Sequence, residues 1–396
     1  MFSRAEGHYC RSNTQRQFLQ PGLNLKIMYK LYLEFIEDKQ AQPLSEYYHR
    51  KIFKKCKLSF FKQKKDMCDH CIRYSRIPKD KLTLQEIKNH KRHLKNKKIP
   101  RKLMMQDIET SNLNQKINVA CFDLQKVLTT PKCQNSSMYY MRKLAIFNFT
   151  IYDLGKKQGF CYVWNESTGN RGADEISSCV YNYIQKKITE GITEFRFYSD
   201  SCGGQNRNKI IFGMFSKIAA ELGVKITHIF FEPGHSQNAG DSMHAMIEKK
   251  SRGQDIFTQD QWCEIIKNAV KKKPYEVKEL NGYDILNFSL IAEKRKWKNL
   301  QISKVREFCV LPRSDAVYYS KKYEKVLKTV DLRFPRLENT YNAFEILQPK
   351  YTGRLKLSEE KKNDLKKMCE LLYVPIECHY FYEYILNIEV NIILEN

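Results

Sequence analysis

The sequence predicts an α/β fold, in which a strand-rich central part lies between a basic helical region and a region of mixed strands and helices. Strand and helix patterns follow one another in the order β-β-β-α-β-α-β-α over about residues 118–252. The 396-residue chain is 42% apolar and 12% aromatic, which is enough to bury a large core. A dense run of lysine and arginine precedes the first strand. We therefore expect three parts: residues 1–116, 117–252 and 253–396.

Two helices are predicted in the N-terminal part. In residues 23–38, apolar side chains recur at three- and four-residue spacing, which is typical of an amphipathic helix. In residues 83–103, Thr83 is followed three positions later by Glu86, the pair that forms a capping box at a helix start. This second helix carries eight basic residues and no acidic residue between positions 88 and 102, so it is the most basic element of the chain.

The central part alternates five strand patterns with three helix patterns. The strand runs are INVACFDLQ, MYYMRKLAIFNFTIYDLG, QGFCYVWNE, EFRFYSDS and KITHIFFEPGHS. The helix runs are GADEISSCVYNYIQKKI, NKIIFGMFSKIAAEL and GDSMHAMIEKK. In the C-terminal part, ILNFSLIAEKRKW and EFCVLPR are predicted as strands, and residues 357–372 as a helix that Ser358 caps.

The charge balance predicts a polyanionic partner. The formal net charge is +25, from 69 lysines and arginines against 44 aspartates and glutamates. A charge of this size attracts nucleic acid, because lysine and arginine release counterions from its phosphates. DNA is the expected partner and RNA the alternative. On the basic helix, Lys91, Arg92 and Lys95 are expected to contact the phosphate backbone, with a merely solvated charged face as the rival interpretation.

The composition also indicates where in the cell the protein is located. The chain contains no run of 18 apolar residues, so no transmembrane helix and no membrane partner are expected. The N-terminal stretch lacks the apolar core of a secretory signal. The 13 cysteines are odd in number and scattered, which favours reduced thiols over a disulfide framework. These observations predict a nuclear location, with the cytoplasm as the alternative.

A zinc site is predicted where cysteines and histidines cluster. Cys68 and Cys71 form a Cys-x₂-Cys knuckle, and His90 and His93 follow at a spacing that puts both on one side of the basic helix. Two thiolates and two imidazoles are a common tetrahedral set for structural Zn²⁺. The 18 residues between Cys71 and His90 exceed the usual zinc-finger linker. His70 and Cys56 remain spare candidates.

Acidic residues end the predicted strands at places where they can converge. Asp123 closes the first strand, Asp200 closes the fourth, and Asp241 and Glu248 lie on the helix after the fifth. Such carboxylates can bind two divalent ions about 4 Å apart, which activate water and stabilise a leaving oxygen in phosphodiester cleavage. Mg²⁺ or Mn²⁺ is the expected cofactor, because hard cations prefer oxygen ligands. Asp241 is the expected third acid, with Glu248 as the alternative.

Two polar loops adjoin these acids. In SCGGQNRN, two glycines allow a close backbone approach, and Arg207 is a candidate for nucleic-acid contact. In PGHS, His235 is a candidate proton shuttle. Further candidate backbone contacts follow the fifth strand, at Lys249, Lys250 and Arg252.

Several motifs also resemble a known family. The strand order with acids at these points resembles the ribonuclease H-like fold of DDE/DDD transposases and retroviral integrases, in which the acids lie on strand one, after strand four and on the helix after strand five. FDLQKVLTTPK, YDLG, WNES with GNRGADE, YSDSCGGQNRN and PGHSQNAGDSMHAMIEK resemble a transposase-derived family of unknown function that is common in arthropod and cnidarian genomes. SFFKQKKDMCDHC and LSEEKKNDLKKMCELLYVPIECHYFYE resemble its terminal signatures, so the resemblance covers about residues 20–385.

The resemblance implies a mixed five-stranded ribonuclease H-like sheet flanked by helices, and a metal-dependent nuclease or transposase activity. Asp123, Asp200 and Asp241 would bind the metal ions. It also raises homo-oligomerisation as an expectation, although no heptad pattern is present. Members of the family usually have a longer N-terminal part, so a DNA-binding module is expected to be missing here. The alternative function is a catalytically inactive nucleic-acid-binding or scaffold protein.

Overall fold

A computed structural model gives the fold of residues 4–5, 17–19, 22–60, 68–138, 140–295, 297, 300–314, 316–323, 328–331 and 350, which are the described residues. The chain divides into two compact units, Met1–Lys81 and Leu82–Asn396. The division differs from the three predicted parts, because the basic helix and residues 253–331 both belong to the larger unit. The helix predicted at residues 357–372 lies outside the described residues.

The smaller unit combines short strands with three helices. Its strands are β1 (Arg4–Ala5), β2 (Gln17–Leu19) and β3 (Leu58–Phe60), and its helices are α1 (Leu25–Glu37), α2 (Glu46–Lys55) and α3 (Asp69–Arg76). A 3₁₀ turn follows at Lys79–Lys81. The helix predicted in residues 23–38 is confirmed as α1, whose first turn is capped by the Asn24 side chain accepting from the Ile27 amide.

The larger unit contains a long helix, ten strands and five further helices in its described part. The helices are α4 (Leu84–Leu113), α5 (Ala173–Thr189), α6 (Lys209–Leu222), α7 (Ala239–Lys250), α8 (Gln259–Lys267) and α9 (Ser289–Glu293). The strands are β4 (Ile117–Leu124), β5 (Leu128–Thr130), β6 (Leu144–Asp153), β7 (Gln158–Asn165), β8 (Glu194–Ser199), β9 (Lys225–Phe230), β10 (Glu276–Glu279), β11 (Glu307–Val310), β12 (Ala316–Ser320) and β13 (Lys328–Asp331).

One large mixed sheet forms the centre of this unit. Its strand order is β10-β7-β6-β4-β8-β9-β11-β12-β13, with β5 paired to β6. The five predicted strands form its middle as β7-β6-β4-β8-β9, where β6 is antiparallel to both neighbours and β4, β8 and β9 are mutually parallel. The sheet is flanked by helices, so the predicted α/β class is confirmed. Strands β10 to β13 extend the same sheet on both sides.

The two faces of the sheet have separate cores. Ala120 and Phe122 of β4 point into the larger core, which α5, α6 and α9 cover. Val119 and Cys121 alternate with them and pack on the opposite face. This second face is covered by α4, α7 and α8. Asp123 continues the alternation of Val119 and Cys121, so it belongs to the face that α4 and α7 cover.

The prediction of a strand in ILNFSLIAEKRKW is wrong. Its central part, Ser289–Glu293, forms α9, and the buried Phe288 just before the helix lies three and four residues from the buried Ile291 and Ala292. Short apolar runs fit strand and helix alike, so packing decides between them. Here α9 packs on α6, where a β-carbon placed on Gly213 would lie in ordinary van der Waals contact with the Ala292 α-carbon, at 3.5 Å.

Helix α4 is fixed to the sheet by apolar packing and by one carboxylate. The predicted capping box of Thr83 and Glu86 is present, and the helix extends ten residues beyond the predicted end, with the buried Pro100 inside it. Its second half packs on β4 and β8. Asp107 accepts a hydrogen bond from Arg196 Nη1 at 2.6 Å and another from the Tyr198 hydroxyl.

We predict that Asp107→Ala lowers the free energy of unfolding by about 2 kcal/mol, because it leaves the Tyr198 hydroxyl and part of the Arg196 guanidinium without their acceptor. Urea unfolding followed by circular dichroism measures this loss. Glu109→Ala is the matched control, since Glu109 is exposed on the same helix and its removal should cost less than about 0.5 kcal/mol. Equal losses in the two variants would contradict the anchoring role.

Candidate carboxylate site

The pairing of β4 with β8 positions the first two predicted acids. The two strands are parallel, with Cys121 opposite Tyr198. Two residues further along, the chain reaches Asp123 on β4 and Asp200 just after β8. Neighbouring strands lie about 4.8 Å apart, so the two carboxylates leave the same edge of the sheet side by side.

The start of α7 brings the third predicted acid to this edge. Asn238 caps the helix, and Asp241 Oδ2 accepts a hydrogen bond from the Asn238 amide at 2.8 Å, which completes a capping box. Gly240 makes the approach to β4 close, because a β-carbon there would lie 3.1 Å from the Asp123 β-carbon and 3.3 Å from Thr150 Oγ1. Any larger residue at position 240 would push the first turn of α7 away from Asp123.

The three carboxylates interact electrostatically. Burial and, after it, the negative charges of Asp200 and Asp241 together raise the pKa of Asp123 to about 7, against a hydrogen bond from the Leu124 amide. The site therefore holds a proton near neutral pH when no cation is bound. In the described part of the chain, the aspartate oxygens do not form a group with all ligand atoms within 4.8 Å of one another. Their mutual repulsion favours this wider spacing.

The polar loop after β8 fixes the orientation of Asp200. Asp200 Oδ1 accepts hydrogen bonds from the Cys202 amide at 3.1 Å and from Asn206 Nδ2 at 2.5 Å. Asn206 is buried beneath the loop, a positioning role that the sequence did not reveal. The residue that caps α6 is Asn208, which accepts from the amides of Ile210 and Ile211.

Arg207 lies close to Asp200 but does not extend freely into solvent. Its Nη1 donates to the Val305 carbonyl at 3.4 Å, and its guanidinium lies over the Phe230 ring. Burial and the neighbouring Arg306 lower its pKa, whereas Asp200 raises it. Arg207 thus supplies positive charge beside the second acid from a partly buried position.

A hydroxyl and an imidazole support the first acid. The Thr150 hydroxyl donates to the Asp123 carbonyl oxygen at 3.0 Å, so His244 Nε2–H is the donor in its 2.8 Å hydrogen bond with Thr150 Oγ1. Burial lowers the pKa of His244 to about 4, so this imidazole is neutral at pH 7. The sequence signal for His244 was its position three residues after Asp241, on the same helix face.

Glu248 does not join the aspartates. Its side chain is exposed, two turns further along α7. Its negative charge raises the pKa of Lys132, whereas burial lowers the pKa of that lysine. It does not contribute to the pKa shift of Asp123, whereas Asp241 does. The arrangement of these side chains therefore favours Asp241 over Glu248 as the third acid.

The predicted nucleic-acid contacts fall on two separate surfaces. Lys249, Lys250 and Arg252 are exposed at the far end of α7, about 12 Å along the helix from Asp241. The second surface is a basic stripe on α4, made of exposed residues within about 120° of the helix circumference. The basic stripe consists of Lys88, Lys91, Arg92, Lys95, Lys98 and Lys102. His93 and Pro100 lie on the opposite, buried side of the helix.

His235 meets His93 rather than the aspartates. The Nε2 atoms of the two imidazoles are 3.1 Å apart, and burial with nearby positive charge lowers the pKa of His235 to about 4. The described residues contain a Cys/His group whose side-chain atoms could hold a metal ion, and both imidazoles belong to it. His90, predicted as a ligand, is not part of that group. In the smaller unit, Cys68 is the residue that precedes α3, and Cys71 lies in its first turn.

Comparison with known protein families finds a match to less than half of the chain. A family described as "Domain of unknown function (DUF7869)" matches residues 150–325. This segment includes Asp200, Asp241 and His235, and it begins after Asp123. No curated protein and no solved structure matches the chain. Among the described residues, no helix is both long and apolar enough to span a membrane.

We predict that Asp123→Asn stabilises the protein in buffer free of Mg²⁺ and Mn²⁺. The pKa of Asp123 is about 7 in the folded state against an ordinary 3.8, so the wild type loses stability as the pH rises between these values. The amide variant escapes this loss and should gain about 2 to 4 kcal/mol above pH 7, but little at pH 4.

Urea unfolding at pH values from 4 to 8 measures this difference. Glu248→Gln is the control, since its carboxylate is exposed on the same unit and should leave the pH dependence unchanged. A gain for Asp123→Asn that does not depend on pH would contradict the assigned coupling. Adding Mn²⁺ should stabilise the wild type at pH 8 but not the variant.

Proposed function

We propose that this protein is a transposase-derived DNA-processing enzyme, which cleaves phosphodiester bonds and transfers strands with Mg²⁺ or Mn²⁺. The observation that carries the proposal is the meeting of Asp123, Asp200 and Asp241 at one edge of the sheet. These residues come from two neighbouring strands and a helix that are far apart in sequence. Like charges cost stability when they are brought together, so their convergence indicates a site for a cation.

The order of the elements supports the ribonuclease H-like part of the proposal. The transposase resemblance requires acids on the first strand, after the fourth and on the helix after the fifth. Leaving aside the three-residue β5, Asp123 is on the first strand of the sheet, Asp200 follows the fourth and Asp241 is on the helix after the fifth. The first and fourth strands are paired in parallel, as adjacent acids require.

The donor set fits hard divalent cations. All three candidate ligands are carboxylates. Burial, and after it the charges of Asp200 and Asp241, leaves a proton on Asp123 near pH 7, and a bound cation would take its place. When bound, such ions would supply an activated water and stabilise the leaving oxygen. Asn206 and the Cys202 amide hold Asp200 in place, and Thr150 with His244 holds the β4 backbone at Asp123.

Long-range electrostatics would bring the substrate to the site. The basic stripe on α4 presents six positive side chains without an intervening acid, which suits the regular charge spacing of a nucleic-acid backbone. These contacts give affinity and orientation rather than sequence choice. A DNA substrate implies a nuclear location.

The second candidate function is a nucleic-acid-binding or scaffold protein without cleavage activity. The basic stripe favours it, because binding through α4 requires none of the carboxylates. Both functions predict DNA binding, and only the first predicts metal-dependent cleavage.

We predict that the purified protein nicks supercoiled plasmid in the presence of Mg²⁺ or Mn²⁺ and that a chelator abolishes the cuts. Asp123→Asn, Asp200→Asn and Asp241→Asn should each lower the rate at least about a hundredfold, because each removes a ligand charge and keeps the side-chain shape. DNA binding measured by fluorescence anisotropy should remain.

Glu248→Gln is the matched control and should cleave at the wild-type rate, since this acid lies away from the aspartates. Loss of cleavage with Glu248→Gln but not with Asp241→Asn would reverse the assignment of the third acid. Salt-sensitive binding without any metal-dependent cutting would favour the second candidate function.

We also predict that the triple variant Lys91→Ala, Arg92→Ala, Lys95→Ala binds DNA more weakly. Each lost phosphate contact should lower the slope of log affinity against log salt by about 0.9. Lys267→Ala, Lys271→Ala, Lys272→Ala removes the same charge from exposed positions elsewhere in the larger unit and serves as the control. Equal slopes for the two triple variants would mean that net charge, and not the basic stripe, determines binding.

A further inference from the structure

Two imidazole side chains of the larger unit contact each other, and the carboxylate site does not account for this contact. His93 lies on the buried side of α4, and His235 lies in the loop between β9 and α7. Their Nε2 atoms are 3.1 Å apart and their ring planes are inclined at 48°. Two nitrogens bound to one tetrahedral zinc ion are separated by about 3.3 Å, given Zn–N bonds of about 2.0–2.1 Å.

A buried carboxylate sets the orientation of His93. Glu232 Oε1 lies 3.1 Å from His93 Nδ1, which makes that nitrogen the N–H donor and leaves Nε2 with a lone pair towards His235. Arg306 forms a 3.0 Å ion pair with the second oxygen of Glu232 and holds the carboxylate in place. A carboxylate behind the ligating imidazole is the usual second partner of a zinc-bound histidine.

We propose that His93 and His235 bind a structural zinc ion through their Nε2 atoms and that the thiolates of Cys68 and Cys71 complete its coordination. In this ligand set His235 replaces His90, and His93 is kept from the pair of histidines predicted from the sequence. The inference does not rest on the proposed cleavage activity, because none of these residues belongs to the aspartate site.

Charge favours thiolates for the remaining two positions. A zinc ion bound by two neutral imidazoles keeps its charge of +2. The positive charges of Lys97 and Arg101 already lower the pKa of His235. Two thiolates would neutralise the ion, whereas water ligands would leave its full charge beside these cations. The Cys-x₂-Cys knuckle supplies two thiolates at the spacing common in structural zinc sites.

The ion would join α4 to the loop that leads into α7. Arg101 already links them, since its Nη2 donates to the carbonyl oxygens of His235 at 3.0 Å and Gln237 at 2.9 Å. Asp241 follows His235 by only six residues. A zinc ion on His93 and His235 would therefore hold the approach to the third acid in a fixed position.

The test is the zinc content of the full-length protein, expressed with added zinc and measured by plasma mass spectrometry after dialysis. We expect one zinc per chain for the wild type and for His90→Ala. We expect loss of the metal for His235→Ala, His93→Ala and Cys71→Ser. Cobalt substitution of the wild type should give the intense visible bands of a tetrahedral site together with a thiolate charge-transfer band.

Glu232→Gln keeps all four ligands and should weaken zinc binding about 10- to 100-fold in competition with a chromophoric chelator, which guards against variants that simply misfold. Zinc retained by His235→Ala but lost by His90→Ala would overturn the ligand set, and a zinc-free wild type would overturn the site. A cobalt spectrum without a thiolate band would exclude the cysteines. Asp200→Asn should keep its zinc, so failure of the cleavage proposal is distinguishable from failure of this one.

Discussion

The parallel pairing of β4 with β8 is the constraint on which the candidate site depends. It brings Asp123 and Asp200 to one edge of the sheet, where their charges repel and where burial weakens solvent screening. The first turn of α7 adds Asp241 to the same place, and Gly240 permits the close contact. A fold selected for stability alone would separate these charges. Their retention at one edge is typical of sites where function opposes stability.

Much of the fold could be predicted from the chain because its local signals agree with its packing. The capping box of Thr83 and Glu86 predicts the start of α4, and the continuous apolar run predicts β4. The alternation of strand and helix patterns predicts the α/β class. The exception was α9, where five residues are too few for a period to be distinguished and packing against α6 decides the conformation. Extension of the central sheet by β10 to β13 depends on long-range pairing, which composition does not encode.

The sequence predicted which types of residue form the candidate site, but it predicted less well which side chains contact one another there. Asp241 and Glu248 share a helix face, so spacing alone could not choose between them; packing of the first turn of α7 on Asp123 separates them. The same limit applies to histidine. His90 and His93 are close in sequence, but the imidazole that meets His93 is that of His235, which is brought there by the loop after β9. Asn206 was visible only as part of a polar loop, because burial beneath Asp200 arises from the folded chain.

The proline within α4 gives this helix uneven bending stiffness. Pro100 has no amide hydrogen, so the hydrogen bond that would cross this point of the helix is missing. After Pro100, Asp107 and apolar packing fix the helix to the sheet; before it lie five of the six residues of the basic stripe, which face solvent. A force on the amino-terminal part of α4 would therefore bend the helix most easily at Pro100. Arg101, the next residue, donates hydrogen bonds to the carbonyl oxygens of His235 and Gln237, so a change of bend at Pro100 would reach the loop that leads into α7.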